Sequence, residues 1–171
     1  QLRDLRQFAQ ARRVGPAAVL GNSLARVVSA IPPNVVLPPT IGSHASLNLF
    51  VALVGRSGES KSASMGASAD WQTVDPSCAP SKPGSGEGLA KCFAVIRKIP
   101  GGPGNPPITR QVGKAWSVLA QLPEVDTLIS TGGRGGATIM SELRSASSGE
   151  RLGFAYAGEA KRITLSANRY R

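Results

Sequence analysis

The residues at positions 55–62 have the types and the spacing that hold a phosphate chain. In order they are Gly55, Arg56, Ser57, Gly58, Glu59, Ser60, Lys61 and Ser62. A glycine-rich turn that enters a helix points backbone N–H groups and the positive end of the helix dipole at an anion. A lysine in this register reaches the terminal phosphates, and the hydroxyl that follows it ligates magnesium. The pattern predicts binding of a nucleoside triphosphate with Mg²⁺, with Lys61 as the catalytic phosphate lysine and Ser62 as a metal ligand.

The turn departs from the usual pattern at one position. Ser60 stands where a phosphate-binding loop has glycine, and a side chain leaves less room beside the phosphates. The alternative is that 55–62 is a polar turn without a ligand. A lysine and a hydroxyl in the correct register after an apolar run favour the phosphate site.

Two carboxylates, Glu124 and Asp126, follow an apolar stretch at 116–122. Hydrolysis of ATP requires a carboxylate that holds magnesium through water or polarises the attacking water. Residues two apart on an extended strand end share a side, so we expect Glu124 to activate water and Asp126 to hold magnesium. Pro123 occupies the place of the usual aspartate, which makes Asp126 a substitute ligand. Two solvated loop carboxylates are the alternative.

Hydrophobic periodicity predicts the elements that position these residues. Apolar positions at three- and four-residue spacing predict helices at 2–14 and 17–31. The nearly continuous apolar run at 47–54 predicts a strand buried on both faces of a parallel sheet. The other predicted elements are strands at 35–37 and 116–122, helices at 62–71, 88–98 and 137–146, and a hairpin of strands at 152–157 and 162–168.

The composition favours a polyanionic partner. Twenty Lys and Arg stand against ten Asp and Glu, a formal charge of +10, which suits nucleic acid or nucleotide phosphates; an ordinary solvated basic surface is the alternative. No apolar run approaches the roughly 20 residues of a membrane helix, so no membrane span is expected. Cys78 and Cys92 lack metal-ligand spacing and His44 is the one histidine, which predicts reduced thiols and a cytoplasmic location.

Five segments of the chain carry a resemblance to a known family: 12–16, 46–55, 84–89, 123–128 and 149–154. Together they resemble the P-loop ATPase (helicase-like) domain of primase-polymerase and replication proteins from bacteriophages, plasmids and actinobacteria. The resemblance covers nearly the whole chain. It implies an α/β fold with a RecA-like or AAA+-like core and a mostly parallel sheet, ATP and Mg²⁺ as ligands, DNA as partner, and a ring or filament of identical subunits. It also implies phosphate contacts by Gly55, Gly58, Lys61 and Ser62 and an acidic site at Glu124.

The two predicted N-terminal helices place the expected domain boundary near residue 40. Residues 1–40 are expected to form an N-terminal helical lid or linker, and residues 41–171 the P-loop NTPase core. The chain starts with Gln1 rather than Met and stops at Arg171, before the sensor and arginine-finger residues of such ATPases. We therefore expect a processed or excised fragment whose core is incomplete at the C-terminus.

Three functions compete at this point. The leading one is an ATP-driven motor or switch that acts on DNA, single strands above all, in the replication of a mobile element or phage. The second is a basic DNA-binding module with a degenerate, non-hydrolysing loop, which Ser60 and Pro123 favour. A small-molecule kinase is disfavoured by the net charge. Arg134, on the glycine-rich stretch 132–136, is a candidate for touching DNA or a neighbour's phosphate, with a plain mobile loop as the alternative.

Overall fold

A computed structural model describes residues 1–39, 41–56, 58–73, 80–102, 104–122, 124–154 and 163–171. This part of the chain contains six helices and four short strands. The helices are α1 (Leu2–Ala11), α2 (Pro16–Ala30), α3 (Lys61–Trp71), α4 (Gly86–Phe93), α5 (Val125–Gly132) and α6 (Ile139–Ser148). The strands are β1 (Pro80–Ser81), β2 (Ala94–Ile99), β3 (Ile108–Gly113) and β4 (Leu119–Ala120). No helix of the described residues is both long and apolar enough to cross a membrane.

The first three helices share one hydrophobic core. Its buried residues come from α1, from the α1–α2 turn, from α2 and from α3: Leu5, Ala9, Val14, Val19 and Ala67. At its edge the rings of Phe8 and Trp71 lie 5.1 Å apart. Pro16 starts α2, where its missing N–H costs no hydrogen bond. The helix that follows the phosphate-loop candidate is therefore held by the two N-terminal helices.

Small side chains line the contact between α2 and α3. Ser64 and Ser68 are fully buried, and their hydroxyls donate to carbonyls of their own helix, Lys61 O at 2.6 Å and Met65 O at 2.7 Å. From α2, Asn22 Nδ2 lies 3.4 Å from Ser64 Oγ and Arg26 Nε lies 3.3 Å from Ser68 Oγ. Because the hydroxyls of Ser64 and Ser68 are satisfied and also contact polar side chains of α2, α2 helps to fix the position of α3.

A second core joins α4, α6 and the C-terminal segment. Its buried residues are Leu89, Phe93, Ile139, Leu143, Leu152 and Tyr170. The Tyr170 ring lies 5.3 Å from that of Phe93, and its hydroxyl donates to Ser145 O at 3.2 Å and also to Glu150 O. This hydroxyl ties the C-terminal segment to the end of α6.

The predicted fold class, a RecA-like or AAA+-like core with a mostly parallel sheet, is wrong. The described residues hold one antiparallel pair, β2 with β3, and one parallel pair of only two residues per strand, β1 with β4. The run at 47–54, predicted as a buried central strand, is irregular and mostly exposed. Phe50 is 59% exposed and Val54 97% exposed. An apolar run alone does not supply the neighbouring strands that a parallel sheet requires.

Side-chain contacts with α2 and α6, rather than pairing with other strands, hold the run at 47–54 in place. A Cβ on Gly21 of α2 would lie 2.9 Å from Val51 Cγ1, so glycine lets the run approach that helix. Asn48 Nδ2 donates to Ala146 O near the end of α6 at 2.6 Å. The segment therefore bridges the two cores and leads into the loop.

Other element predictions also change. The predicted helix at 88–98 ends at Phe93 and continues as β2, because Val95 and Ile96 are β-branched and favour a strand. The predicted strand at 116–122 is reduced to Leu119–Ala120. The predicted hairpin at 152–157 and 162–168 is reduced to one antiparallel bridge between Leu152 and Leu165, and its residues 155–162 lie outside the described residues.

Candidate phosphate-binding loop

The backbone of the loop turns sharply just before α3. Gly58 has φ +85° and Ser60 has φ 54° and ψ 25°, so both lie in the left-handed region. Left-handed residues that alternate with ordinary ones turn successive N–H groups toward one concave side and form an anion-binding nest. Ser57 lies outside the described residues. The local geometry is that of a turn able to receive an anion.

The N-terminus of α3 is open. Ser60 is the N-cap, and its side chain makes no capping hydrogen bond. The first N–H groups of a helix have no partner within the helix and carry its positive dipole end. Since α3 has 11 residues and begins directly at Lys61, this end faces the turn that precedes it. Ser62, in the first turn of α3, is exposed, and its hydroxyl bonds to none of the described residues.

Lys61 folds back over the loop. Its Nζ donates to Gly55 O at 2.7 Å and to Arg56 O at 2.6 Å. These bonds hold the ammonium at the mouth of the turn rather than in open solvent. An ammonium with three donors can exchange such carbonyls for phosphate oxygens. Lys61 is therefore already placed beside the loop that it is predicted to serve.

Glu59 places a carboxylate in the same turn. Its Oε2 accepts a hydrogen bond of 2.7 Å from the Arg56 backbone N–H. The same oxygen lies 2.5 Å from where a Cβ on residue 55 would stand, so the carboxylate fits there only because Gly55 has no side chain. One backbone N–H of the loop therefore already donates to an anionic group, the Glu59 carboxylate.

The predicted acidic site does not join the loop. Glu124 is the N-cap of α5 and Asp126 lies in its first turn, so both are on a helix and not at a strand end. Both are exposed. Within the described ranges, neither carboxylate forms a hydrogen bond or ion pair with residues 55–62, and no group of three Asp, Glu, His or Cys side chains is placed to hold a metal. Pro123 lies outside the described residues.

A cleft beside the loop helix was not predicted from the sequence. It measures about 330 Å³ and lies where the α1–α2 turn meets α3. Its lining residues are Arg12, Val14, Ala63, Gly66, Ala67 and Asp70. Two of these lining residues form an ion pair, with Arg12 Nη1 2.6 Å from Asp70 Oδ2. The only sequence signal was the three- and four-residue spacing of small residues along α3, which is also typical of close helix packing.

Comparison with protein-family models, with curated proteins and with solved structures finds no match.

Proposed function

We propose that this chain binds ATP with Mg²⁺ through residues 55–62 and works as a helicase-like ATPase unit on DNA, in the replication of a mobile element or phage. The observation that carries the nucleotide part is the pairing of an uncapped helix N-terminus with a left-handed turn that already holds a carboxylate. Such a turn offers backbone donors and a positive dipole to an anion. A triphosphate supplies that anion and suits the adjacent lysine.

Each loop residue has a distinct role in this proposal. The phosphate chain takes the Arg56 N–H that Glu59 now occupies and lies against the N–H groups at the start of α3. Lys61 gives up the carbonyls of Gly55 and Arg56 for phosphate oxygens. The Ser62 hydroxyl holds magnesium, which neutralises phosphate charge when it is bound.

The hydrolytic and DNA-binding parts rest on the sequence. Glu124 is the proposed residue for water activation and Asp126 for magnesium; both would act in the assembled ATPase. The +10 charge supports DNA as the partner. Assembly of identical subunits comes from the resemblance to helicase-like ATPase domains, and a cytoplasmic location comes from the predicted reduced thiols; both belong to the proposal.

A second function, a DNA-binding module that holds ATP without hydrolysing it, has one specific observation in its favour. Glu124 and Asp126 sit on α5 without any bond to the loop within the described residues. In this alternative ATP acts as a ligand that orders the loop, and no carboxylate is needed for water.

Binding and turnover measurements separate these functions. ATP, ADP and AMP are titrated with Mg²⁺, and ATP hydrolysis is then followed with and without single-stranded DNA. Tighter binding of ATP than of AMP, with hydrolysis raised by DNA, supports the ATPase proposal. Binding without hydrolysis in either condition supports the alternative. Equal affinity for ATP and AMP would contradict a phosphate-binding loop.

A further inference from the structure

The strand pair β2–β3 presents an unusual face to solvent. Directly opposed residues along this face are Val95 with Val112, Arg97 with Arg110, and Ile99 with Ile108. We name this set the arginine face. Both arginines are exposed, Ile99 is 39% exposed and Ile108 is 64% exposed. Two guanidinium groups therefore stand side by side, with an exposed apolar pair next to them.

Opposed like charges weaken a strand pair. Side chains of directly opposite residues have Cβ atoms roughly 5 Å apart, and like charges there are destabilising. Within the described ranges, no carboxylate pairs with Arg97 or Arg110. The sequence from 94 to 114 holds four basic residues, Arg97, Lys98, Arg110 and Lys114, and no Asp or Glu. The arrangement costs stability to the folded chain, and an external anion would remove that cost.

The opposite face of the same strands anchors the pair to the protein. Ala94 and Ile96 pack with Ile163 of the C-terminal segment. Gln111 Nε2 donates to Thr164 O at 2.8 Å, and Thr164 N donates to Gln111 Oε1 at 3.0 Å. With one face fixed in this way, the arginine face points outward on a rigid support.

We propose that the arginine face binds single-stranded nucleic acid, so this inference rests on DNA being the partner in the proposed function. The guanidinium groups of Arg97 and Arg110 hold backbone phosphates through paired N–H donors. Ile99 and Ile108 lie against unstacked bases, which a duplex would keep inside its stack. Each strand has six residues and spans roughly 20 Å, enough for a few nucleotides.

The test compares two double variants that lose the same charge. Arg97→Gln with Arg110→Gln changes the arginine face, whereas Arg3→Gln with Arg6→Gln removes two exposed arginines of α1. Anisotropy with labelled oligo-dT is measured across a salt series. For the first variant we expect the slope of log affinity against log salt to flatten by about 1.4, and binding near 0.1 M salt to weaken roughly 25-fold. In the α1 variant, the salt slope and the affinity near 0.1 M salt should both change far less.

Three further measurements, of melting temperature, of affinity for an acidic peptide and of ATP affinity, keep the inference open to refutation. Arg97→Gln and Arg110→Gln should melt at the wild-type temperature or above it, because an opposed charge is removed; a lower melting temperature would indicate a structural role. Loss of DNA affinity equal in both double variants would also overturn the inference, as would tighter binding of an acidic peptide than of oligo-dT. If the wild type binds no DNA, the partner assignment and this inference both fail, whereas unchanged binding by the arginine-face variant refutes this inference alone. ATP affinity should be the same in all variants.

Discussion

Replacing Ser60 by glycine tests the geometry of the loop most locally. Ser60 has φ 54°, a left-handed conformation that costs a residue with a Cβ roughly 1–2 kcal/mol and costs glycine nothing. The standard phosphate-binding pattern has glycine at this position, and the structure supplies the reason. Ser60→Gly should therefore relieve strain in the folded chain.

The net gain in the free energy of unfolding from Ser60→Gly should be smaller than the strain energy that it relieves. Glycine also gives the unfolded chain more freedom, which costs about 0.4–1 kcal/mol. The difference leaves a gain of roughly 0.5–1 kcal/mol, and the melting temperature of a chain of this size should rise by a few degrees. Removing the side chain also clears space beside the phosphates, so ATP should bind at least as tightly as to the wild type.

A matched control comes from the α1–α2 turn. Arg13 has the same φ, 54°, but lies outside the loop, so Arg13→Gly should stabilise the fold without changing ATP affinity. Urea unfolding and ATP titration are measured on both variants. If Arg13→Gly stabilises the chain while Ser60→Gly destabilises it, the left-handed assignment at residue 60 is refuted. Weaker ATP binding in Ser60→Gly would show that the serine assists the ligand.

Three other predictions concern carboxylates and a buried hydroxyl. Glu59→Gln should tighten ATP binding several-fold in calorimetry, because a neutral amide competes less well for the Arg56 N–H. Glu124→Gln should keep ATP binding but lose most hydrolysis in a phosphate-release assay, since the amide cannot take up a proton. Tyr170→Phe should lower the free energy of unfolding by about 0.5–1.5 kcal/mol, because the Ser145 and Glu150 carbonyls lose the hydroxyl that donates to them.

The Tyr170 effect should depend on pH. Burial, with smaller contributions from Glu142 and Glu150, raises the pKa of Tyr170 above its ordinary value. The protonated Tyr170 hydroxyl therefore contributes its full share of the free energy of unfolding below the unfolded-state pKa of about 10. This contribution is lost as the pH rises toward and through the folded-state pKa. Unfolding of wild type and Tyr170→Phe between pH 7 and 11 checks this sign.

Each of these predictions has a contradicting result. A constant stability difference between wild type and Tyr170→Phe across that pH range would show that the hydroxyl does not titrate as described. Weaker ATP binding by Glu59→Gln would mean that the carboxylate supports the loop instead of competing for it. Hydrolysis by Glu124→Gln at the wild-type rate would place the catalytic acid elsewhere.

The first three helices were predictable from the sequence because their signals are local. The apolar spacing and the position of Pro16 located α1 and α2, and the turn before Lys61 located α3. Sheet structure depends on partners that a local pattern does not contain. The sequence pattern of the run at 47–54 is typical of a buried strand. In the structure, however, this run contacts Gly21 and the end of α6 and pairs with no strand of the described residues.

The candidate site also has features that the sequence could predict and features that it could not. The start of a helix at Lys61, directly after a glycine-containing turn, was predicted from spacing alone because it is a local feature. The roles of Lys61 and Ser62 as ligands stay predictions. The carboxylate of Glu59 on the Arg56 N–H depends on a side-chain rotamer and could not be inferred. Placing Asp126 at a strand end failed because residues from Val125 onward form a helix. The opposed arginines of β2 and β3 require a strand register, which no spacing rule supplied.

The central claim is that residues 55–62 bind a triphosphate through Lys61, and calorimetric titration of MgATP into wild type and Lys61→Ala tests it most directly. Loss of a charge-assisted hydrogen bond costs about 1.5–3 kcal/mol, so Kd should rise roughly 10- to 150-fold while circular dichroism stays unchanged. Lys82→Ala, a control at an exposed lysine outside the loop, should bind like the wild type. Equal ATP affinity in wild type and Lys61→Ala would contradict the claim.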